Sequence, residues 1–214
     1  GKRDRRAARA LQSDNVHNVK NGRYCSVKEV NMACIKKLEQ NVTFDCAKAA
    51  EPASIRGVEE LILVNYSDIS SYSVDSAGLA SITMATGKKG YVITSVNNSV
   101  SVSIAARNND AIITAEEHTV VIKLIDNSGA MGVSELSKLI LSLRTGTFAA
   151  CVRASSGNRL VYGLMSGLEC SEIVGDSTTD GLITITLKTP DSAGGDRMLA
   201  ITEGTYNGLK TPKA

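Results

Sequence analysis

Glu116-Glu117-His118 is the place in this chain where an imidazole stands beside carboxylates, and His17 is the sole other histidine. A general base must sit within hydrogen-bond reach of its proton and be held there by a partner. Adjacent residues on a strand point to opposite faces, and His118 opens a hydrophobic run. The expectation is therefore an exposed histidine at a strand edge. With two histidines, a multi-histidine metal centre is excluded. The five cysteines, Cys25, Cys34, Cys46, Cys151 and Cys170, are odd in number and none is spaced C-x-x-C. That argues against a disulfide framework or a zinc site, so they read as reduced and mostly buried.

Other chemical signatures are missing. Neither G-x-G-x-x-G nor G-x-x-x-x-G-K-[ST] occurs, so no phosphate-cradling loop is encoded. The stretch Gly163–Gly167, GLMSG, places Ser166 one position too late for a nucleophile elbow. Asp75, Asp176 and Asp180 fall in turns, where Asp bonds its own backbone. Lys88-Lys89 reads as a solvated hairpin tip, and no aromatics interleave with basic residues as in single-strand platforms. Asn41, Asn65 and Asn97 open glycosylation sequons read as chance matches. No residue is assigned a catalytic, cofactor-binding or metal-ligating role, and the chain is read as a non-enzyme.

The elements that would position any site are mainly strands. Period-two alternation marks half-buried strands. Val100, Val102 and Ile104 alternate with serines, Ile82 and Met84 with Ser81 and Thr83, and Ile183, Ile185 and Leu187 with Thr184, Thr186 and Lys188. Leu160, Tyr162 and Leu164 read the same way, as do Phe148, Ala150 and Val152 set against Thr147, Cys151 and Arg153. Leu61–Val64 and Val120–Ile122 are apolar throughout and suit strands buried on both faces. Gly87–Gly90 and Ser155–Asn158 separate pairs of strands, and 176–181 and 191–196 read as polar loops.

One segment has helical spacing. Val133, Leu136, Ile140 and Leu143 recur along one face with Leu139 beside them, and Gly146 is a natural stop. The spacing predicts a helix over about 133–144 with that face on a sheet, and Ile140→Ala would then cost about 2–5 kcal/mol. The expected class is α+β, mainly antiparallel β: a β-sandwich or flattened barrel with one mid-chain amphipathic helix.

Charge divides the chain. Residues 1–37 hold ten Lys/Arg and three acids, a net of +7, which leaves −5 for residues 38–214 of a chain totalling +2. Residues 1–31 read as a basic, weakly structured arm, with a short helix at Arg5–Leu11, and 32–214 as a single β-rich assembly domain. Three explanations of the arm stand side by side: nucleic-acid binding, docking on an acidic neighbouring subunit, or sequence outside the native protein, since Met32 reads as a start. No apolar run approaches the ~20 residues that span a bilayer, so no membrane role is expected.

Several stretches occur in an order that resembles a known group. They are Met32-Ala-Cys34, Asn41–Cys46, Gly57–Ile69, Tyr72–Gly78, Leu160–Gly163, Gly167-Leu-Glu169 and Leu182–Leu187, with a single helix between. Over residues 32–209 the chain resembles virion structural proteins, of tail-tube or neck-ring type, of tailed bacteriophages infecting Bacteroides-type hosts. It departs from a typical tube subunit at Arg197–Ala214, which lacks an acidic, proline-containing final strand. The resemblance implies a subunit that forms homo-oligomeric rings, commonly hexamers, around a DNA channel. Its partners would be itself, other tail or neck proteins, and DNA passing through the lumen without sequence preference. Its location would be the virion, assembled in the host cytoplasm. The alternative is a capsid decoration or host-attachment β-sandwich module.

Overall fold

The computed structural model describes residues 56–95, 98–109, 112–124, 132–175, 182–193 and 195–213, side chains at 108, 109 and 112–114 excepted. The basic arm, Asp176 and Asp180 lie outside the described residues. Among the described residues eleven strands run in chain order: β1 (Val58–Asn65), β2 (Ile69–Val74), β3 (Leu79–Met84), β4 (Tyr91–Thr94), β5 (Val100–Asn109), β6 (Ile112–Leu124), β7 (Thr147–Ala154), β8 (Arg159–Tyr162), β9 (Leu168–Gly175), β10 (Ile183–Lys188) and β11 (Leu199–Ile201). Helix α1 (Val133–Thr145) precedes β7, and a short α2 (Glu203–Gly208) follows β11. This is the expected α+β, mainly antiparallel β class, with β3–β11 a parallel pair. The sequence reading missed α2, whose six residues are too few for a periodic signal.

The sheet branches at β7. One side of β7 pairs with β1 along its length, and β1 pairs in turn with β4. On the other side, Ala150–Arg153 pair with β8, while Thr147 and Phe148 pair with β9. From β8 the order continues β11-β3-β2, and from β9 it continues β10-β6-β5. The change of partner is made by the turn between β8 and β9. Gly163 and Gly167 have φ of +70° and +77° there, a region that penalises a Cβ. A Cβ on Gly163 would also lie 2.3 Å from Leu168 Cγ.

Branching puts a core on each face of β1, β7 and β8. Leu61, Leu63, Ala150, Val152 and Tyr162 face one core, together with Ile122 and Leu187 from the β9–β5 branch. Ile62, Val64, Cys151 and Val161 face the second, with Ile82, Leu199 and Tyr206. Leu61–Val64 is thus the two-sided strand its composition predicts. The one-sided readings of β7 and β8 are corrected: Cys151 and Val161 are fully buried, because the second core needs the faces that alternation left to solvent. Burial pushes the Cys151 thiol up to about 12, leaving it an inert hydrophobe. Leu164 belongs to the turn rather than to β8. The loop at Gly87–Gly90 joins β3 to β4, which do not pair, so Lys88-Lys89 is no hairpin tip. Ser155–Asn158 does close a hairpin, β7–β8.

Helix α1 has the expected extent and ends at Gly146, whose N–H donates to the Ser142 carbonyl. Its buried face is the expected one, shortened at the N-terminal end. Leu143 is buried and Leu139 packs on the first core, but Val133 is 86% exposed. Leu136 and Ile140 are intermediate. The helix meets the sheet at β9 through its last two turns, so its first turn projects beyond the sheet. Leu143→Ala should therefore lower stability by about 2–5 kcal/mol and Val133→Ala by less than ~0.5, measured by denaturant unfolding. Ile140→Ala should fall between them.

Candidate functional site

The described residues that come closest to chemistry gather where β6 runs past β10. β10 pairs with Thr119–Leu124, which leaves Glu116–His118 without a strand on that side. The loop after β10 takes its place. Thr189 N–H donates to the His118 carbonyl at 3.0 Å, His118 N–H donates to Thr189 Oγ1 at 3.0 Å, and Glu116 and Asp196 exchange both backbone bonds at 2.9 Å. A left-handed Gly195 (φ +95°) lets the loop press on β6, where a Cβ would meet Ala115 at 2.3 Å.

His118 is fully buried, which corrects the expectation of an exposed edge histidine. An edge position is exposed only when nothing covers it, and the loop does. Gly163 N–H donates to His118 Nδ1 at 3.1 Å. That places the ring proton on Nε2, which donates to Glu116 Oε2 at 3.2 Å. Glu116 Oε2 also accepts from Met198 N–H at 2.6 Å. Asp196 is 1% exposed and accepts from the N–H groups of Met165, Ser166 and Arg197 at 3.0–3.4 Å, and from Ser166 Oγ at 2.8 Å. The Tyr162 ring meets His118 edge to face at 5.2 Å. Burial, with Glu116 nearby, pushes the Tyr162 hydroxyl up to about 12.

The arrangement is not a nucleophile relay. Ser166 donates to Asp196, and His118 Nδ1 lies 4.0 Å from Asp196 and is occupied by a backbone donor. A serine needs the imidazole itself as its base. Among the described residues, no group of three or more His, Cys, Asp or Glu is placed to hold a metal ion. What the cluster does is terminate backbone: its carboxylates and imidazole take up N–H groups of the β8–β9 turn and the loop after β10. The spacing of Glu116 and His118 hinted at the pair, but Asp196 and Ser166 join it from far along the chain.

A second polar group holds the C-terminus. Tyr206 Oη donates to Glu60 Oε1 at 3.0 Å, and Lys210 Nζ donates to the same oxygen and lies 5.1 Å from the Tyr206 ring centre. Burial raises the Glu60 carboxyl, but the bonds from Lys210 and Tyr206 and the charges of Lys210 and Arg153 outweigh it and hold it below its ordinary value. Burial and the Glu60 bond push the Tyr206 hydroxyl upward. Asp75 behaves as its turn position predicts, accepting from the N–H groups of Ala77 and Leu79.

The remaining candidates are surfaces. The groove between α1 and β9 is lined by Ile140, Arg144, Cys170, Ser171, Glu172 and Ile173. β2, β4 and β5 are margins of the sheet, each pairing on one side among the described strands. No described helix is long and apolar enough to cross a membrane. No protein-family model, curated protein or solved structure matches the chain.

Asp196→Ala should strand three backbone donors and lower stability by about 3 kcal/mol or more, with Asp196→Asn milder, both read from denaturant midpoints. The Glu60 clamp carries a pH signature. A carboxyl held low in the fold stabilises fully above its ordinary range, and that contribution is lost as pH falls through the lowered folded value. The thermal midpoints of the wild type and Glu60→Gln should differ at neutral pH and converge on acidification below the ordinary carboxylate range.

Proposed function

We propose that this chain is a structural subunit of a tailed-bacteriophage virion, assembling with copies of itself into rings of the tail tube or neck around the DNA channel. The observation that carries this reading is β5, ten residues that pair on one side among the described strands and carry no charge over Val100–Ala106. An exposed strand edge is a liability in a monomer and an asset in an assembly. The reading draws its phage assignment from the ordered resemblance over residues 32–209.

On this reading the protein is no enzyme and takes no cofactor. Its partners are further copies, other tail or neck proteins, and DNA in transit. The −5 of residues 38–214 suits a conduit, because carboxylates around a lumen repel phosphates and let DNA slide. The same charge makes subunits repel weakly, so salt should favour association by screening.

The test is light scattering on a sizing column across protein and salt concentration, followed by negative-stain microscopy. Rings or stacked rings that grow with salt are expected. Trimers would point to the capsid-decoration or host-attachment alternative, and a monomer at every concentration would overturn self-assembly.

A further inference from the structure

Two arginines stand directly opposite each other on the β7–β8 hairpin. Arg153 of β7 and Arg159 of β8 are cross-strand partners, and like charges in that position repel. Alternation along the strands puts them on the face of Cys151 and Val161, at the margin of the second core. The Arg159 guanidinium lies 6.0 Å from the centre of the Tyr206 ring, a buried member of that core. A bulge in β1 brings carboxylates to the same place. The register with β7 steps from Val58↔Ala154 to Glu60↔Arg153, so Glu59 and Glu60 together stand opposite Arg153. A bulge re-aims a side chain in this way.

The carboxylates around the two arginines are not equivalent. Glu60 is fixed from within by Tyr206 and Lys210, and its side chain is 16% exposed. The side chains of Glu59 and Glu203 are 48% and 67% exposed. Glu203 meets Arg159 Nη2 through one oxygen at 2.9 Å. Glu59 lies 3.1 Å from Arg153 Nε without completing a hydrogen bond to it. The Nε of Arg159 is likewise shielded from solvent and has no acceptor. Exposed ion pairs of this kind contribute little. With Glu59 and Glu203 in place the charges cancel, three cations against three carboxylates. With those two turned aside, Arg153, Arg159 and Lys210 against Glu60 leave a net of +2.

We propose that Arg153 and Arg159 form a binding site for a phosphate group, with Glu59 and Glu203 holding the anion positions until one arrives. A guanidinium is a planar fork that takes phosphate oxygens two at a time, so a pair of them suits one phosphate better than two separate carboxylate contacts do. The phosphate brings several acceptor oxygens to one point, where it can reach the donors that Glu59 and Glu203 leave unmet. It also relieves the repulsion between the two arginines, which neither single contact does. The hairpin holds the site in place: Arg159 Nη1 donates to the Gly157 carbonyl at 3.3 Å, and Lys210 stands 5.1 Å from the Tyr206 ring centre. Two sources share this chemistry, free phosphate and the phosphodiester of a nucleic acid.

Titrations of the full chain test the site and separate the sources. Inorganic phosphate is added at constant ionic strength and followed by calorimetry, and a short DNA duplex is followed by fluorescence anisotropy. Saturable phosphate binding is expected, weakened about tenfold or more by Arg153→Gln and by Arg159→Gln. Glu59→Gln and Glu203→Gln should each tighten it about threefold or more. The control is Glu172→Gln, which removes the same charge at an exposed position of β9 and should change little. A purely structural role for the two ion pairs gives no tightening. DNA whose binding follows the same four variants identifies the phosphodiester as the source, and DNA indifferent to them leaves free phosphate. Thermal midpoints of the variants are read first, and should an arginine variant fail to fold, the two glutamate variants decide. No saturable binding of phosphate or DNA, or binding that ignores all four variants as contact with the basic N-terminal residues would, overturns the site.

Discussion

Strand β7 must satisfy three partners at once, and the rest of the molecule is arranged around that demand. Its backbone bonds β1 on one side and both β8 and β9 on the other. Ala149, Ala150, Cys151 and Val152 between them expose essentially nothing. A buried strand can leave no backbone group unpaired, so where β8 ends β9 must begin. The turn between them is compressed into Gly163–Gly167, where glycine conformations are required. The two cores follow from this choice. One sheet with a single covered face would have left Cys151, Val161 and Ile62 in water. Branching gives each face of the central strands its own apolar layer.

The buried polar cluster solves a problem that the branching creates. β6 is longer than β10, and its early residues need backbone partners that no strand supplies. The loop after β10 provides them, and its own turns then need acceptors for their N–H groups. Asp196, Glu116 and His118 fill that role. A satisfied buried network costs little and specifies one arrangement, whereas a half-satisfied one is worse than an apolar core. Groups of catalytic type thus hold backbone N–H groups of the turn and the loop.

The described sheet margins are held in different ways. The C-terminal turn is stapled to β1 by Glu60, Tyr206 and Lys210. Gly90 and Gly87 donate to the carbonyls of Leu209 and Lys213, tying the β3–β4 connection to the same segment. β5, at the far end of the other branch, pairs on one side among the described strands, with Val100 at its start buried.

Local pattern in the sequence determined the class of this protein, most of its strands, its main helix and the Asx turn at Asp75. These depend on contacts between near neighbours in the chain, and period-two or helical spacing records them directly. Leu61–Val64 announced its two-sided burial because both faces are apolar in one short run. Tertiary structure alone decided how much of the apolar face of α1 is buried, since the sheet covers Leu139 and Leu143 but leaves Val133 at the first turn in solvent. It alone showed that β7 and β8 are buried on both sides, because small or ambiguous residues such as Ala149 and Cys151 carry no sign of the layer that covers them. And it alone buried His118: the covering residues, Thr189 and Asp196, lie more than seventy positions away. No local periodicity can encode a contact whose partner is set by the folding back of a distant loop.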